Sequence, residues 1–211
     1  MKFLTIKIIG IIMVLSLFGF NSKTPEQKFW NWFEKNQQML FDFEKDRDGI
    51  FDKLAIQMHK IDDNLTFELG PVIDNQREFV ISAGGIIKSF PTVEKLYESA
   101  PDLDKWKFIK FRPRRKPMSV QLNGMEIKPE SVKCQLFKDD DRVGLMLFFK
   151  NYKKDESNTF ERIGYLLLDQ ALGEYDVETK VGFIEFASQE SEYYKNAFSL
   201  SELVTRFEEQ F

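Results

Sequence analysis

Residues 65–82 read LTFELGPVIDNQREFVIS and contain two short runs rich in β-branched and aromatic residues. A period of two in such runs is typical of half-buried strands. The turn formers GP and DN lie between the runs, so the two predicted strands are adjacent. Residues 133–149, KCQLFKDDDRVGLMLFF, form a second predicted hairpin across three aspartates. Its second strand is apolar on both faces and is therefore predicted to be central.

A helical segment precedes the first strand. Thr24 and Gln27 can form a capping box, and Pro25 occupies the first helical position. Apolar residues then keep helical spacing, so residues 25–62 are predicted to form one long helix, or two helices broken in the charged neck at residues 44–49.

Three more helices are predicted from capping and breaker signals. Pro91 suits the first turn of a short helix after the second strand. Asn158 can cap an amphipathic helix that closes at Gly173. Ser199 and Glu202 form a last capping box, which predicts an amphipathic C-terminal helix.

The remaining β-patterned runs are WKFIKFR at 106–112, SVQLNGMEI at 119–127 and VGFIEF at 181–186. The second run contains Asn123 and Gly124, which suit a two-residue type I′ turn. Directly joined hairpins with helices between some of them predict an α+β fold, a largely antiparallel sheet covered by helices, with residues 23–211 in a single domain. The pattern leaves open whether residues 64–113 and 119–187 form two half-domains or one sheet.

Residues 1–22 have the layout of an export signal. Lys2 and Lys7 precede the uncharged apolar run at residues 8–20. Small residues with A-x-A spacing are missing, so a cleaved signal peptide and an uncleaved N-terminal membrane anchor both remain open. Either alternative predicts an exported protein, periplasmic or membrane-anchored and facing outside, and the anchor would add N-terminal membrane association.

The composition excludes several classes of function. The chain has 211 residues, of which 30 are basic and 34 acidic, and this balance argues against a general nucleic-acid binder. Cys134 and His59 are its single cysteine and histidine, so an internal disulfide, a Cys/His zinc site and a two-histidine metal site are excluded. With no phosphate-binding glycine loop and no nucleophile–base pair, the sequence predicts no catalytic residue, metal or cofactor.

Residues 105–116, KWKFIKFRPRRK, form a basic segment in which cations alternate with aromatic residues. Cations that project together bind phosphates, and aromatic rings between them stack on bases. Lys110, Arg112, Arg114 and Arg115 are therefore candidates for an anion or nucleic-acid site. The alternative is a half-buried strand whose cations are solvated or ion-paired.

Residues 173–178, GEYDVE, place acidic side chains at alternate positions. If this stretch is extended, Glu174, Asp176 and Glu178 line one face and form an acidic cluster suited to a hard cation or to acid/base chemistry. The alternative is that these carboxylates form ion pairs with the basic segment.

Five segments together resemble a family of small bacterial α+β proteins of unknown function: FWNWF, FDFEK, FELGPVIDNQREFVISAGGI, KFIKFRPRR and LLLDQALGEYDVETKVGFIEF. The resemblance covers residues 28–187. The matching segments contain no catalytic signature, and the family has no assigned activity. The resemblance therefore implies no catalytic residue. Its members are similar to soluble proteins that begin near FWNWF, which implies that the export prefix is an addition in this chain.

The leading hypothesis is a non-catalytic extracytoplasmic interaction protein whose partner is another protein. The runner-up is a hydrolase or transferase that uses carboxylates alone, with Glu68, Glu78, Glu174 and Asp176 as candidates. A deep pocket holding two of these four carboxylates would favour the enzyme. A filled sandwich with all four carboxylates on solvent would favour the interaction protein.

Overall fold

The computed structural model describes residues 22–211. Apart from Ser22, the predicted signal or anchor lies outside the described residues. The α-helices in this range are α1 (Pro25–Phe41), α2 (Arg47–His59), α3 (Phe90–Glu98), α4 (Ser157–Leu172), α5 (Glu174–Lys180) and α6 (Leu203–Glu208). The strands are β1 (Thr66–Ile73), β2 (Gln76–Ser82), β3 (Trp106–Lys110), β4 (Val120–Leu122), β5 (Met125–Ile127), β6 (Lys133–Asp139), β7 (Arg142–Phe149), β8 (Val181–Ser188) and β9 (Phe198–Ser199).

The strands form two main sheets with the same chain order. In the first unit, whose sheet spans residues 66–110, β1 and β2 are antiparallel, α3 follows, and β3 returns parallel to β2. In the second unit, whose matching part spans residues 133–188, β6 and β7 are antiparallel, α4 and α5 follow, and β8 returns parallel to β7. The α+β class with mostly antiparallel pairing is confirmed, and of the two open alternatives the chain adopts separate sheets.

The second sheet has the strand order β8-β7-β6-β9, so β7 lies inside it as its apolar pattern predicts. The short hairpin β4–β5 lies between the two main sheets in the sequence and packs on the core of the second unit. Its turn has positive φ at Asn123 and Gly124, and the turn between β1 and β2 has positive φ at Asp74 and Asn75, which is the type I′ pattern.

Of the two alternatives for the N-terminal helical segment, the chain adopts two helices broken near the charged neck, and the single long helix is not formed. α1 begins at the predicted capping box, in which the Gln27 amide donates to Oγ1 of Thr24 at 3.2 Å. A 3₁₀ turn at Phe43–Lys45 follows α1 and separates it from α2. The side chain of Asp46 then accepts a hydrogen bond from the Gly49 amide at 3.3 Å and caps α2. The cap explains why the charged neck breaks the helix.

Each unit has its own hydrophobic core. In the first, α1, α2 and α3 cover one face of the sheet, and Phe33 is fully buried among Phe79, Trp106 and Phe108. In the second, α4, α5, α6 and the β4–β5 hairpin cover the face that carries the alternate β7 residues Leu145 and Leu147. The helices and the hairpin therefore cover one face of each main sheet.

The helices of the second unit differ in detail from the sequence prediction. α4 begins at Ser157 without a side-chain cap, so the predicted cap at Asn158 is wrong. The capping box of Ser199 and Glu202 is confirmed, and it opens a 3₁₀ turn that leads into the six-residue α6. α6 docks through buried residues, as its amphipathic pattern predicts. Among residues 22–211, no helix has the length and apolar character needed to span a bilayer.

Candidate functional site

The linker of residues 111–119 joins the two units and contains the second half of the basic segment. It begins at Phe111, whose φ of 59° lies in the left-handed region that bulky residues rarely adopt. The Phe111 amide donates to the Ile81 carbonyl at 2.7 Å. Its ring lies 4.5 Å from the ring of Phe90 and 5.2 Å from that of Tyr175. These contacts hold the start of the linker against both units.

A buried carboxylate also holds the linker in place. Glu174, at the start of α5, is 0 % exposed. Its Oε1 accepts hydrogen bonds from the amides of Ala83 and Gly85, each at 3.0 Å, in the loop after β2. Its Oε2 accepts from the Arg112 amide at 3.1 Å. One side chain thus binds the first unit, the linker and the second unit together.

The junction between α4 and α5 encloses the linker backbone. Gly173 has a φ of 79°, and a Cβ at this position would lie 3.1 Å from the Arg112 carbonyl oxygen. The Glu174 amide donates to that carbonyl at 3.0 Å. The position therefore requires glycine for its backbone conformation and for the close approach of the linker.

All four candidate basic residues lie near carboxylates. Arg112 binds Glu68 of the first unit at 2.9 Å and Asp169 of the second at 3.3 Å. Its role is therefore to bridge the units. The other pairs are Arg114–Asp176, Arg114–Glu208, Arg115–Glu78 and the longer Lys110–Glu94.

The acidic stretch is helical, so the extended conformation considered for residues 173–178 is wrong. Val177 is buried in the second core three residues after the buried Glu174, and this spacing belongs to a helix. Glu174 and Glu178 share one side of α5, and Asp176 lies on the other. Among the described residues, no group of three or more potential ligands is arranged to hold a metal ion.

The side of α5 that carries Glu178 faces a concentration of negative charge. Burial, together with the charges of Glu174 and Glu68, raises the pKa of Asp169 on α4 to about 6 against the opposing effect of Arg112. Burial also raises the pKa of Glu178, and the charges of Asp169 and Glu174 add to the effect. Arg112 cannot neutralise this set alone because it is shared with Glu68.

Other carboxylates at the linker are stabilised in their charged form. Burial opposes ionisation of Asp176, but hydrogen bonds from Lys180 and Arg114 outweigh it and lower the pKa of this carboxyl. Glu78 is similar, because Arg115 and Lys107 outweigh its burial and lower its pKa. The cations in these ion pairs are therefore already bound to carboxylates of the chain and are not free to bind a ligand.

Two clefts lie beside the linker. The smaller, of about 150 Å³, contains Glu68, Asp169 and Arg115. The larger has a volume of about 390 Å³, and its chemically distinctive lining residues are Glu94, Lys110, Arg112, Arg114, Tyr175 and Asp176. The structure thus brings three of the four candidate cations to one cleft, together with Asp176 from the acidic stretch.

The four carboxylates considered for catalysis have separate surroundings. Asp176 lines the larger cleft and Glu68 the smaller. Glu78 is buried against Arg115 and Lys107. Glu174 is occupied by three amides. The two clefts beside the linker therefore contain one of these carboxylates each.

A second surface lies on the outer face of the second sheet. Phe137 and Phe183 pair with Gly144 in the ladders, so they point away from the helix-covered face. Residues 189–197 connect β8 to β9 at opposite sheet edges and bring Tyr193 to 5.8 Å from Phe137. Phe183 and Tyr193 are 37 % and 45 % exposed. We call Phe137, Phe183 and Tyr193 the aromatic face.

Sequence reasoning missed Asp169 and the aromatic face. The signal for Asp169 was an acidic residue in the last turn of a helix, where the helix dipole disfavours negative charge. The aromatic face had no local signal, because Phe137, Phe183 and Tyr193 come from three separate segments. Comparison with protein-family models and with curated proteins finds no match for this chain.

Replacing Glu174 with Gln should destabilise the protein. The amide nitrogen of Gln is a donor and would face a backbone N–H at one of the two oxygen positions, so at least one buried amide loses its acceptor. We expect the free energy of unfolding in urea to fall by roughly 1–3 kcal/mol. Glu126→Gln on the exposed side of β5 is the matched control. Equal stability of the two variants would contradict the role given to Glu174.

Replacing Asp169 with Asn should change the pH dependence of stability. The pKa of Asp169 is about 6 in the folded protein against an ordinary 3.8, so its stabilising contribution is complete below pH 3.8 and is lost as pH rises through about 6. Asn cannot ionise, so the stability of the variant relative to the unchanged protein should increase by roughly 1–3 kcal/mol between acid and neutral pH.

The measurement is urea unfolding of both proteins at several pH values from acid to neutral. Asp155→Asn serves as control, because Asp155 is exposed and has no side-chain hydrogen bond or ion pair among residues 22–211. A difference between Asp169→Asn and the unchanged protein that stays constant with pH would refute the predicted titration.

Proposed function

We propose that the protein is a non-catalytic interaction protein that acts outside the cytoplasm and binds another protein through the aromatic face. The observation that carries the proposal is the exposure of Phe183 and Tyr193 beside Phe137. Exposed aromatic residues supply large apolar contact area at a low cost in side-chain entropy, and they are enriched at protein interfaces. An aromatic surface of this kind favours a protein partner.

The carboxylate chemistry of the runner-up has less support. An acid/base pair needs two carboxyl groups in one concave site with separated pKa values. Glu68, Glu78, Glu174 and Asp176 instead each bind cations or amides. Asp169 has a raised pKa, but its partner across the smaller cleft is Arg112, which also binds Glu68.

Anion or nucleic-acid binding through the basic segment also has less support. A phosphate would have to displace Glu68 and Asp169 from Arg112, and Asp176 and Glu208 from Arg114. These carboxylates come from both units, so such a ligand would compete with the contacts that join them. The cost of exchanging partly buried ion pairs opposes this reaction.

The interaction is tested by capture of partners from envelope extracts. The tagged chain should retain a partner that the double variant Phe183→Ser, Tyr193→Ser loses. The matched control is Ile56→Ser, Ile73→Ser, because these side chains are 57 % and 56 % exposed on other elements. Thermal melts of all three proteins check that they fold.

Two results would contradict the binding proposal. One is recovery of the same partner by all three proteins, which would exclude the aromatic face as its site. The other is turnover of an ester, peptide or glycoside panel by the unchanged protein, with no partner recovered. That result would favour the carboxylate enzyme.

The location outside the cytoplasm has its own test. A reporter that is active only outside the cytoplasm is fused after Lys23, at the end of the predicted signal. We expect activity from this fusion and none from a matched fusion with Val14→Arg, because a charge in the apolar run prevents its insertion. A silent fusion with the unchanged sequence would refute export.

A further inference from the structure

The two main sheets have four edge strands, and three of them carry features that prevent pairing with another chain. β1 is interrupted by a register shift between Leu69 and Val72, next to Pro71. β3 is five residues long, and its Lys107 and Lys110 are exposed. β9 has two residues. Bulges, proline, lysine and short length are the common means by which sheet edges avoid association.

β8 lacks these protections over most of its length. It has eight residues, VGFIEFAS, with no proline and no lysine, and its irregular pairing is confined to its start opposite Val143 and Gly144. Within the described residues, the backbone groups of residues 182–187 bond only to β7. The outward-facing amides and carbonyls of this edge are therefore available to an added strand.

The side chains along this edge define what such a strand must present. Glu185 lies in the middle of the regular part of β8, is exposed, and has no ion-pair partner among residues 22–211. On the helix-covered side, Tyr165 packs against Phe186 at 5.5 Å. Burial raises the pKa of Tyr165, and the charges of Glu161 and Glu178 raise it further. The edge is therefore apolar, with the carboxylate of Glu185 at its centre and those of Glu161 and Glu178 near Tyr165.

We propose that the β8 edge binds an extended segment of a partner protein in which a lysine or arginine lies opposite Glu185 and apolar residues flank it on both faces of the added strand. The proposal deepens the function proposed above and rests on it, because Phe183 belongs to both surfaces. Opposite charges on directly paired residues stabilise a sheet, and like charges destabilise it.

A second copy of the chain is the less suitable occupant. Antiparallel pairing of two β8 strands about the middle of their regular part would place Glu185 opposite Glu185 of the other copy. Moving the axis to Ile184 avoids this contact but brings the irregular start of β8, around Gly182, into the pairing. Moving it to Phe186 places Glu185 opposite Ala187. None of these three registers places a cation opposite Glu185, so a basic partner suits the edge better.

The experiment selects displayed random octapeptides on the purified full-length chain. Enriched peptides should alternate apolar residues around one Lys or Arg. Selection on Glu185→Lys should enrich Asp or Glu at the same position, and a peptide selected on the unchanged chain should bind this variant about tenfold more weakly. Glu126→Lys on β5 is the matched control and should leave affinity unchanged.

N-methylation of the best peptide tests the backbone contacts without altering the protein. Methyl groups on the alternate amides that face β8 should abolish binding, and methyl groups on the other amides should not, because strand addition uses every second amide. The chain with Phe183→Ser, Tyr193→Ser should retain part of the affinity through these bonds.

Several outcomes would overturn the strand proposal. The first is enrichment of the same peptides on Glu185→Lys as on the unchanged chain. The others are equal loss of peptide binding with both sets of methyl groups, and no enrichment of any peptide. A dimer that is cross-linked by a disulfide in Glu185→Cys would instead assign the edge to a second copy. If the envelope partner still requires the aromatic face in any of these cases, the proposed function survives and the strand proposal alone fails.

Discussion

The carboxylate of Glu174 is the contact on which the arrangement of the two units depends. A fully buried charge is costly unless hydrogen bonds replace the water it loses, and here three backbone amides do so. The amides belong to the loop after β2 and to the linker, and Glu174 itself starts α5. One buried side chain therefore fixes three segments that lie far apart in the sequence, and Gly173 allows the linker to approach closely enough for these bonds.

The charge of the basic segment follows from this arrangement. The first unit presents Glu68 and Glu78 towards the linker, and the second presents Asp169 and Asp176. A linker between two acidic surfaces must carry cations, or the repulsion would separate the units. The dense positive charge of residues 105–116 thus has a structural explanation within the chain.

Local signals predicted the strands, their turns and two capping boxes, because each depends on residues close in sequence. The acidic stretch misled for a physical reason: acids at alternate positions suggest a strand, whereas burial of Glu174 and Val177 requires a helix. Sequence could not reveal that Glu174 is buried, since its partners at Ala83 and Gly85 lie about ninety residues away. The raised pKa of Asp169 likewise depends on Glu68 and on the shared Arg112, which only the fold brings together.

The two units share a chain order but use their outer sheet faces differently. In the first unit this face carries Glu78 and Ser82, which are buried, and the linker cations bind its acidic residues. In the second unit the equivalent face carries Phe137 and Phe183, and its cover is the short connection from β8 to β9. The linker covers the polar face of the first unit, whereas among residues 22–211 the apolar face of the second unit and the adjoining β8 edge stay partly exposed.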